Sequence, residues 1–174
     1  IPFDEEDLEW LNVEDGLYVF ESLERKSFDS IYIHPLQIEN PSNEFIFDLR
    51  GCNCWEGDND FKANASYEIE IVNRNIEGMF FISKKEKSTP SIKNIYLGGL
   101  FMNDGFVGND VSNIPISNTK ISDCIIVDMS NGHKGSYYFE EYISKIVWSK
   151  SLGLVYYEYE NGDKYQRIFD YEVK

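Results

Sequence analysis

The chain offers few side chains that could act as a nucleophile or a general base. His34 and His133 are its only histidines; His34 stands directly before Pro35, and His133 follows an Asn-Gly pair, so nothing in the sequence brings the two imidazoles together. No serine lies in a glycine-flanked nucleophile elbow, and no cysteine lies in a recognisable nucleophile motif. The sequence therefore predicts no catalytic residue, and we expect a protein that is not an enzyme.

Carboxylates are abundant, because 31 of the 174 residues are Asp or Glu. Close pairs arise by chance at this abundance, so their number does not predict glycosidase chemistry. A hydrolase that uses carboxylates stays as an alternative. It requires two Asp or Glu side chains that face each other in a cleft, with a perturbed pKa.

The three cysteines have two alternative roles. Cys52 and Cys54 are too close in sequence to pair comfortably in an extended strand, so a disulfide would join Cys124 to one of them. The other interpretation is that all three are small buried hydrophobic residues.

Metal and cofactor motifs are weak. Asp58-Asn59-Asp60 resembles a fragment of a calcium loop, but Lys62 stands where another ligand is needed and no Glu closes the loop. Gly98-Gly99 lacks the spacing of a phosphate-binding or dinucleotide-binding loop. We therefore expect no metal and no cofactor.

The net charge of the chain disfavours some classes of binding partner. The chain carries 16 basic and 31 acidic residues, for a net charge of −15. The negative electrostatic field of this charge repels nucleic acids and anionic lipid head groups. No apolar run reaches the roughly 20 residues of a membrane-spanning helix. We expect no nucleic acid and no transmembrane span. The partner is instead a small molecule, a glycan or a protein.

The pattern of β-branched and aromatic residues predicts an all-β fold. Strands are predicted over residues 17–20, 30–34, 44–49, 67–72, 79–82, 92–97 and 121–128, followed by a three-stranded meander from residue 143 onward. We expect one antiparallel domain over residues 1–174 with roughly nine to eleven strands, as a curved sheet or a partly closed barrel. A two-sheet β-sandwich is the alternative, and residues 1–15 form an acidic lead-in segment.

The Asn161-Gly162 pair predicts a two-residue type I′ turn in the closing meander. That turn would place Tyr156 opposite Arg167 and Tyr159 opposite Lys164, as cross-strand pairs.

Three further features bear on binding. Residues 98–119 form a long Asn- and Gly-rich stretch, which we expect to be irregular and to border the ligand. Lys84, Lys85 and Lys87 form a basic cluster that we expect at a solvated strand end. Trp55, Trp148 and the tyrosines belong to the core or, alternatively, to a surface that stacks on a sugar or an apolar ligand.

The C-terminal segment Ile146-Val-Trp-Ser-Lys-Ser-Leu-Gly-Leu-Val-Tyr-Tyr-Glu158, with Asn161-Gly-Asp163 and Tyr165-Gln-Arg-Ile168 after it, resembles the ending of small secreted or lipid-anchored proteins of Bacteroidetes-type bacteria. Phe20-Glu-Ser22 and Phe28-Asp-Ser-Ile-Tyr-Ile33 are similar to the first strands of that group. The group is mostly uncharacterised, so the resemblance implies an exported all-β domain and supplies no catalytic residue. It implies a periplasmic or outer-membrane-attached location, reached through a removed leader or a lipid anchor.

The function that the sequence favours is noncatalytic binding by an exported cell-envelope domain. A structural or assembly component of the envelope is the first alternative, which would show a large apolar patch and self-association. The carboxylate hydrolase is the second.

Overall fold

A computed structural model describes residues 3–39, 63–85, 88–102, 105, 112–116, 119–136 and 138–169. One antiparallel sheet contains all of the strands in these ranges, so the all-β prediction is confirmed. The elements are α1 (Glu5–Trp10), β1 (Gly16–Ser22), β2 (Phe28–Ile33), β3 (Gln37–Glu39), β4 (Ala63–Ile71), β5 (Ile76–Lys84), β6 (Ile92–Leu97), β7 (Leu100–Met102), β8 (Ser112–Ile116), β9 (Thr119–Asp128), β10 (Gly132–Lys134), β11 (Ile143–Ser149), β12 (Gly153–Tyr159) and β13 (Lys164–Arg167). The described residues contain thirteen strands, whereas the sequence predicted roughly nine to eleven for the chain.

The sheet curves into a nearly closed barrel. Its strand order is β10-β7-β6-β5-β4-β2-β1-β13-β12-β11-β9-β8, and β3 pairs with β4 beyond the end of β2. At the seam, β9 and β11 approach β7 and β10, and the Ile143 N–H donates to the Gly98 carbonyl at 3.0 Å. The curved-sheet prediction is therefore the right one of the two alternatives, because the strands form one rolled sheet and not two stacked layers.

Side chains fill the barrel interior. The rings of Phe80 and Trp148 stack with centroids 4.5 Å apart. The Trp10 ring centre lies 6.2 Å from that of Phe80, and the Tyr67 ring centre lies 6.2 Å from that of Trp148. Trp148 is fully buried. The expectation that Trp148 belongs to the core is confirmed.

Helix α1 covers one end of the barrel. Asp4 and Asp7 form a reciprocal capping box, in which each carboxylate accepts a hydrogen bond from the backbone N–H of the other residue. Trp10 then points into the core, and the Tyr67 hydroxyl donates to the Leu11 carbonyl at 2.6 Å. The acidic lead-in segment is thus a short helix packed on the barrel.

The turn at Asn161-Gly162 differs from the predicted one. The Gly162 N–H donates to the Tyr159 carbonyl, and the Tyr159 N–H donates to the Asp163 carbonyl. The loop between Tyr159 and Asp163 therefore has three residues and not two. Only Gly162 has a positive φ, of 90°, which is the pattern of a type I turn followed by a glycine bulge.

The extra loop residue shifts the hairpin register by one. Tyr157 lies opposite Tyr165, and Glu158 lies opposite Lys164. The predicted pairs Tyr156–Arg167 and Tyr159–Lys164 are therefore wrong. The Arg167 guanidinium instead lies 3.6 Å from the centre of the Tyr18 ring, on the neighbouring strand β1.

Residues 98–119 were expected to be irregular, and this is wrong for part of the stretch. It contains β7 and β8, which pair with β6 and β9 respectively. Both strands are short, so neither gives a recognisable strand pattern within this Asn- and Gly-rich stretch. The predicted strand over 44–49 lies outside the described residues.

Candidate functional site

The two histidines lie on the outer face of the sheet, far apart. His34 follows β2 and His133 lies in β10, with β4, β5, β6 and β7 between them. At about 4.8 Å per strand, the path between them along the curved sheet is roughly 24 Å. The structure therefore does not bring the two imidazoles together, as expected from the sequence.

Cys124 is a free thiol that is 1% exposed, as the interpretation of a small buried residue requires. Burial, with a smaller contribution from Asp123, raises the pKa of Cys124 to about 11. Cys52, Cys54, Trp55 and the Asp58-Asn59-Asp60 segment lie outside the described residues.

The expectation that Lys84 is solvated is wrong. Its side chain is 1% exposed and points into the barrel, where its Nζ lies 2.6 Å from both Asp4 and Asp7. Burial alone would lower the pKa of Lys84, but the hydrogen bonds to Asp4 and Asp7 raise it overall. The amine therefore stays charged and holds α1 against the barrel end.

The other end of the barrel contains a buried polar network centred on Asp29. Its carboxylate accepts hydrogen bonds from the Tyr157 hydroxyl at 2.5 Å, the Asn73 amide at 2.8 Å and the Arg74 Nε at 2.8 Å. Asp29 is 1% exposed, so these donors replace the water that an ionised carboxylate needs. Burial, followed by the Asp29 charge, raises the pKa of Tyr157 and keeps it a donor.

Arg74 connects this network to the surface. It ends a one-turn 3-10 helix, Val72–Arg74, and Asn75 then adopts the left-handed conformation that returns the chain into β5. The guanidinium lies 4.7 Å from the centre of the Tyr159 ring and donates to the Tyr165 hydroxyl at 2.6 Å and to Glu141 at 3.1 Å. Each of the three guanidinium nitrogens therefore donates a hydrogen bond to another side chain, while 26% of the Arg74 side chain remains exposed.

An open cleft of about 890 Å³ lies above Arg74, at this end of the barrel. We call it the barrel-end cleft. It is lined by Asn73, Arg74, Asn75, Ile76, Tyr138, Phe139, Glu140 and Glu141. Tyr138 is 86% exposed, the largest exposed fraction among the exposed large hydrophobic side chains of the described residues.

The chemistry of this cleft is that of polar recognition beside an aromatic ring. Arg74 and the Asn75 amide supply hydrogen-bond donors, while Glu140 and Glu141 supply acceptors. Glu141 is already held on both oxygens, by Arg74 and by Asn161. Two of the polar groups in the cleft, Arg74 and Glu141, are therefore held in place by other side chains, as polar groups in a binding site usually are.

The start of the predicted binding loop approaches this cleft. Gly99 has a φ of 85°, and a side chain there would collide with the rings of Tyr142 and Phe139. The Gly98–Ile143 hydrogen bond anchors the same region. Residues 98 and 99 thus pack beneath the segment that carries Tyr138, while the role of the whole 98–119 stretch in binding stays a prediction.

Sequence reasoning missed Arg74, Asp29 and the segment 138–141. Arg74 and Asp29 are 45 positions apart, and only the β2–β4 pairing brings them together. The one local signal was Asn73-Arg-Asn75, a turn-prone segment with a single cation between two predicted strands.

Other candidate chemistries have little support among the described residues. No three His, Cys, Asp or Glu side chains there are grouped as metal ligands. No helix in the described part of the chain is long and apolar enough to cross a membrane.

No known protein family, curated protein or solved structure matches this chain.

Proposed function

We propose that this chain is a noncatalytic binding domain of the cell envelope, and that its ligand is a neutral glycan held in the barrel-end cleft. The observation that carries the proposal is that the exposed Tyr138 and Arg74 line the same cleft, where contacts with Asp29, Tyr165 and Glu141 fix the Arg74 guanidinium. An exposed aromatic ring next to preorganised polar groups suits a sugar, which has one apolar face and a rim of hydroxyls.

The charges of the cleft favour a neutral ligand. In the lining of the cleft, Arg74 contributes one positive charge, and Glu140 and Glu141 contribute two negative ones; the buried Asp29 carboxylate, which contacts Arg74, does not line the cleft. An anionic ligand would therefore meet a net negative site on a chain whose net charge is −15. Sugar hydroxyls can donate to the carboxylates and accept from Arg74 and Asn75, so a neutral glycan uses both kinds of group.

Two observations support binding without catalysis. Glu141 is engaged on both oxygens, and Asp29 is enclosed by Tyr157, Asn73 and Arg74. A general acid or base needs access to the substrate, which these contacts oppose. The exported location rests on the resemblance of the C-terminal segment, and fractionation of cells that express the tagged protein tests it separately.

A screen of the chain against neutral and acidic glycans, followed by calorimetry on the best neutral one, tests the proposal. We expect Tyr138→Ala to weaken binding by about thirtyfold, since losing a central aromatic contact costs about 2 kcal/mol. The matched control is Tyr32→Ala, on the outer face of β2, which should bind as the wild type does.

Three results would contradict the proposal. The first is binding of acidic glycans alone, and the second is equal binding by the Tyr138 and Tyr32 variants. The third is release of shorter sugars from the bound glycan, which would favour the carboxylate hydrolase. Self-association without glycan binding would favour the structural component.

A further inference from the structure

The Lys84 amine lies between two carboxylates beneath α1, at the end of the barrel opposite the barrel-end cleft. Its Nζ lies 2.6 Å from Asp7 Oδ2 and 2.6 Å from Asp4 Oδ2. The side chains of Lys84 and Asp7 are 1% and 4% exposed, whereas that of Asp4 is 46% exposed. Lys84 and Asp7 are therefore held in contact away from water, and Asp4 connects them to solvent.

Strand β5 and the capping box of α1 hold these three groups in place. Alternation along β5 directs Phe80, Ile82 and Lys84 to the same inward face, and Phe80 and Ile82 are fully buried. On the helix side, the Asp4 N–H donates to Asp7 Oδ2 at 3.1 Å, and the Asp7 N–H donates to Asp4 Oδ1 at 3.0 Å. The fold thus fixes an amine against a carboxylate that lies 77 positions away in the chain.

Burial makes this ion pair costly to keep. An ammonium and a carboxylate both lose hydration when they are buried, and their mutual attraction often does not repay that loss. A neutral amide avoids the penalty of a buried charge. Two groups held in contact also react as if at very high concentration, since effective molarities of well-oriented intramolecular reactions reach about 10⁵–10⁸ M. Position and burial therefore both favour condensation of the pair.

We propose that Lys84 and Asp7 form an intramolecular isopeptide bond, which attaches α1 covalently to the barrel. Asp4 first takes one proton from the Lys84 ammonium, and the neutral Nζ then attacks Asp7 Cγ. The Nζ–Cγ bond forms and the Cγ–Oδ2 bond breaks. The departing oxygen takes the proton held by Asp4 and a second proton from Nζ, and it leaves as water.

This reaction is balanced without a further reactant. One ammonium and one carboxylate give one amide and one water molecule, and the total charge does not change. Asp4 returns to its carboxylate form, so it acts as a proton carrier. The inference is independent of the proposed glycan site.

Intact mass spectrometry of the purified, folded chain tests this proposal. We expect the chain to be lighter than its sequence by one water molecule. Digestion with trypsin should then give a linked pair of peptides, whose fragmentation places the bond between Asp7 and Lys84. Lys134 and Glu160 are an internal control: their Nζ and Oε1 lie 2.5 Å apart, but the side chains are 43% and 39% exposed, so we expect no linked peptides there.

Three variants separate the covalent bond from the ion pair. Lys84→Arg keeps a positive charge beside both carboxylates but lacks the amine, so it should have the full mass of its sequence. Asp4→Asn removes the proton carrier and keeps a good N-cap residue, so cross-linking should slow by about a hundredfold. Lys134→Arg, at the exposed ion pair, is the matched control and should cross-link as the wild type does.

Several results would overturn the proposal. The first is a folded chain that keeps the full mass of its sequence after prolonged incubation. The second is a lost water that maps to a single peptide, or a link made by Asp4 or by Lys93, whose Nζ lies 3.9 Å from Asp7 Oδ1. Cross-linking of Asp4→Asn at the wild-type rate would contradict proton transfer through Asp4.

Discussion

Asp29 is the residue on which the polar end of the barrel depends. Three side chains donate to its carboxylate, and one of them, Arg74, also holds Tyr165 and Glu141. An isolated buried carboxylate is strongly unfavourable, so its donors and Asp29 stabilise the fold only together. The same contacts fix the guanidinium that lines the barrel-end cleft, so the network supports both the fold and the proposed glycan site.

Replacing Asp29 by Asn tests this dependence. The amide removes the negative charge while Arg74 stays half-buried, so we expect the free energy of unfolding to fall by about 3 kcal/mol. Urea denaturation followed by circular dichroism measures the change. Asp15→Asn, at an exposed position, should change stability by less than about 0.5 kcal/mol. Equal losses in the two variants would contradict the assigned role of Asp29.

At the scale of elements, sequence patterns predicted strands well and their ends less well. Alternation in residues 67–72 identified β4, and the run at residues 92–97 coincides with β6. The Asn161-Gly162 pair marked the right turn but the wrong loop length, because both loop types accept a glycine with positive φ. Lys84 was misplaced because a lysine at a strand end is usually solvated, and its partners Asp4 and Asp7 lie far away in sequence.

Two buried lysines beneath α1 should respond differently to loss of charge. Lys84 bonds both Asp4 and Asp7, whereas Lys93 donates to Ser91 and lies 3.9 Å from Asp7. Burial lowers the pKa of Lys93 despite the nearby Asp7. Its charge is therefore only weakly compensated.

We expect Lys84→Met to lower the free energy of unfolding by about 3 kcal/mol, since it leaves the Asp7 carboxylate buried without its main partner. Lys93→Met should cost less than about 1 kcal/mol, because it removes a poorly compensated charge. Urea denaturation measures both, and hydrogen exchange in α1 shows whether the helix is released in Lys84→Met alone. Similar losses in the two variants would show that Lys84 is not the main anchor.

For the whole molecule, the all-β class and a curved or partly closed sheet were predicted from the sequence, while the contacts that close the sheet were not. β-rich runs at short intervals predict an antiparallel fold, but a barrel and a sandwich use the same alternation of apolar and polar residues. The seam depends on contacts such as Gly98 with Ile143, which no local pattern encodes. The proposed glycan site is consistent with this closure, because a filled interior leaves the end of the barrel for a ligand.

A filled interior predicts a large response to removing its central ring. Trp148 is fully buried and stacks on Phe80, so Trp148→Ala should lower the free energy of unfolding by about 4 kcal/mol through lost contacts and a cavity. Trp148→Phe should cost less than half of that, because it keeps a ring and removes an indole N–H that has no hydrogen-bond partner among the described residues. Urea denaturation measures both losses. An unchanged slope of the unfolding free energy against urea concentration would show that each variant exposes the same surface on unfolding, as expected if the barrel stays closed. If Trp148→Ala cost less than about 1 kcal/mol, the interior would be loosely packed, and a ligand inside the barrel would become the better hypothesis.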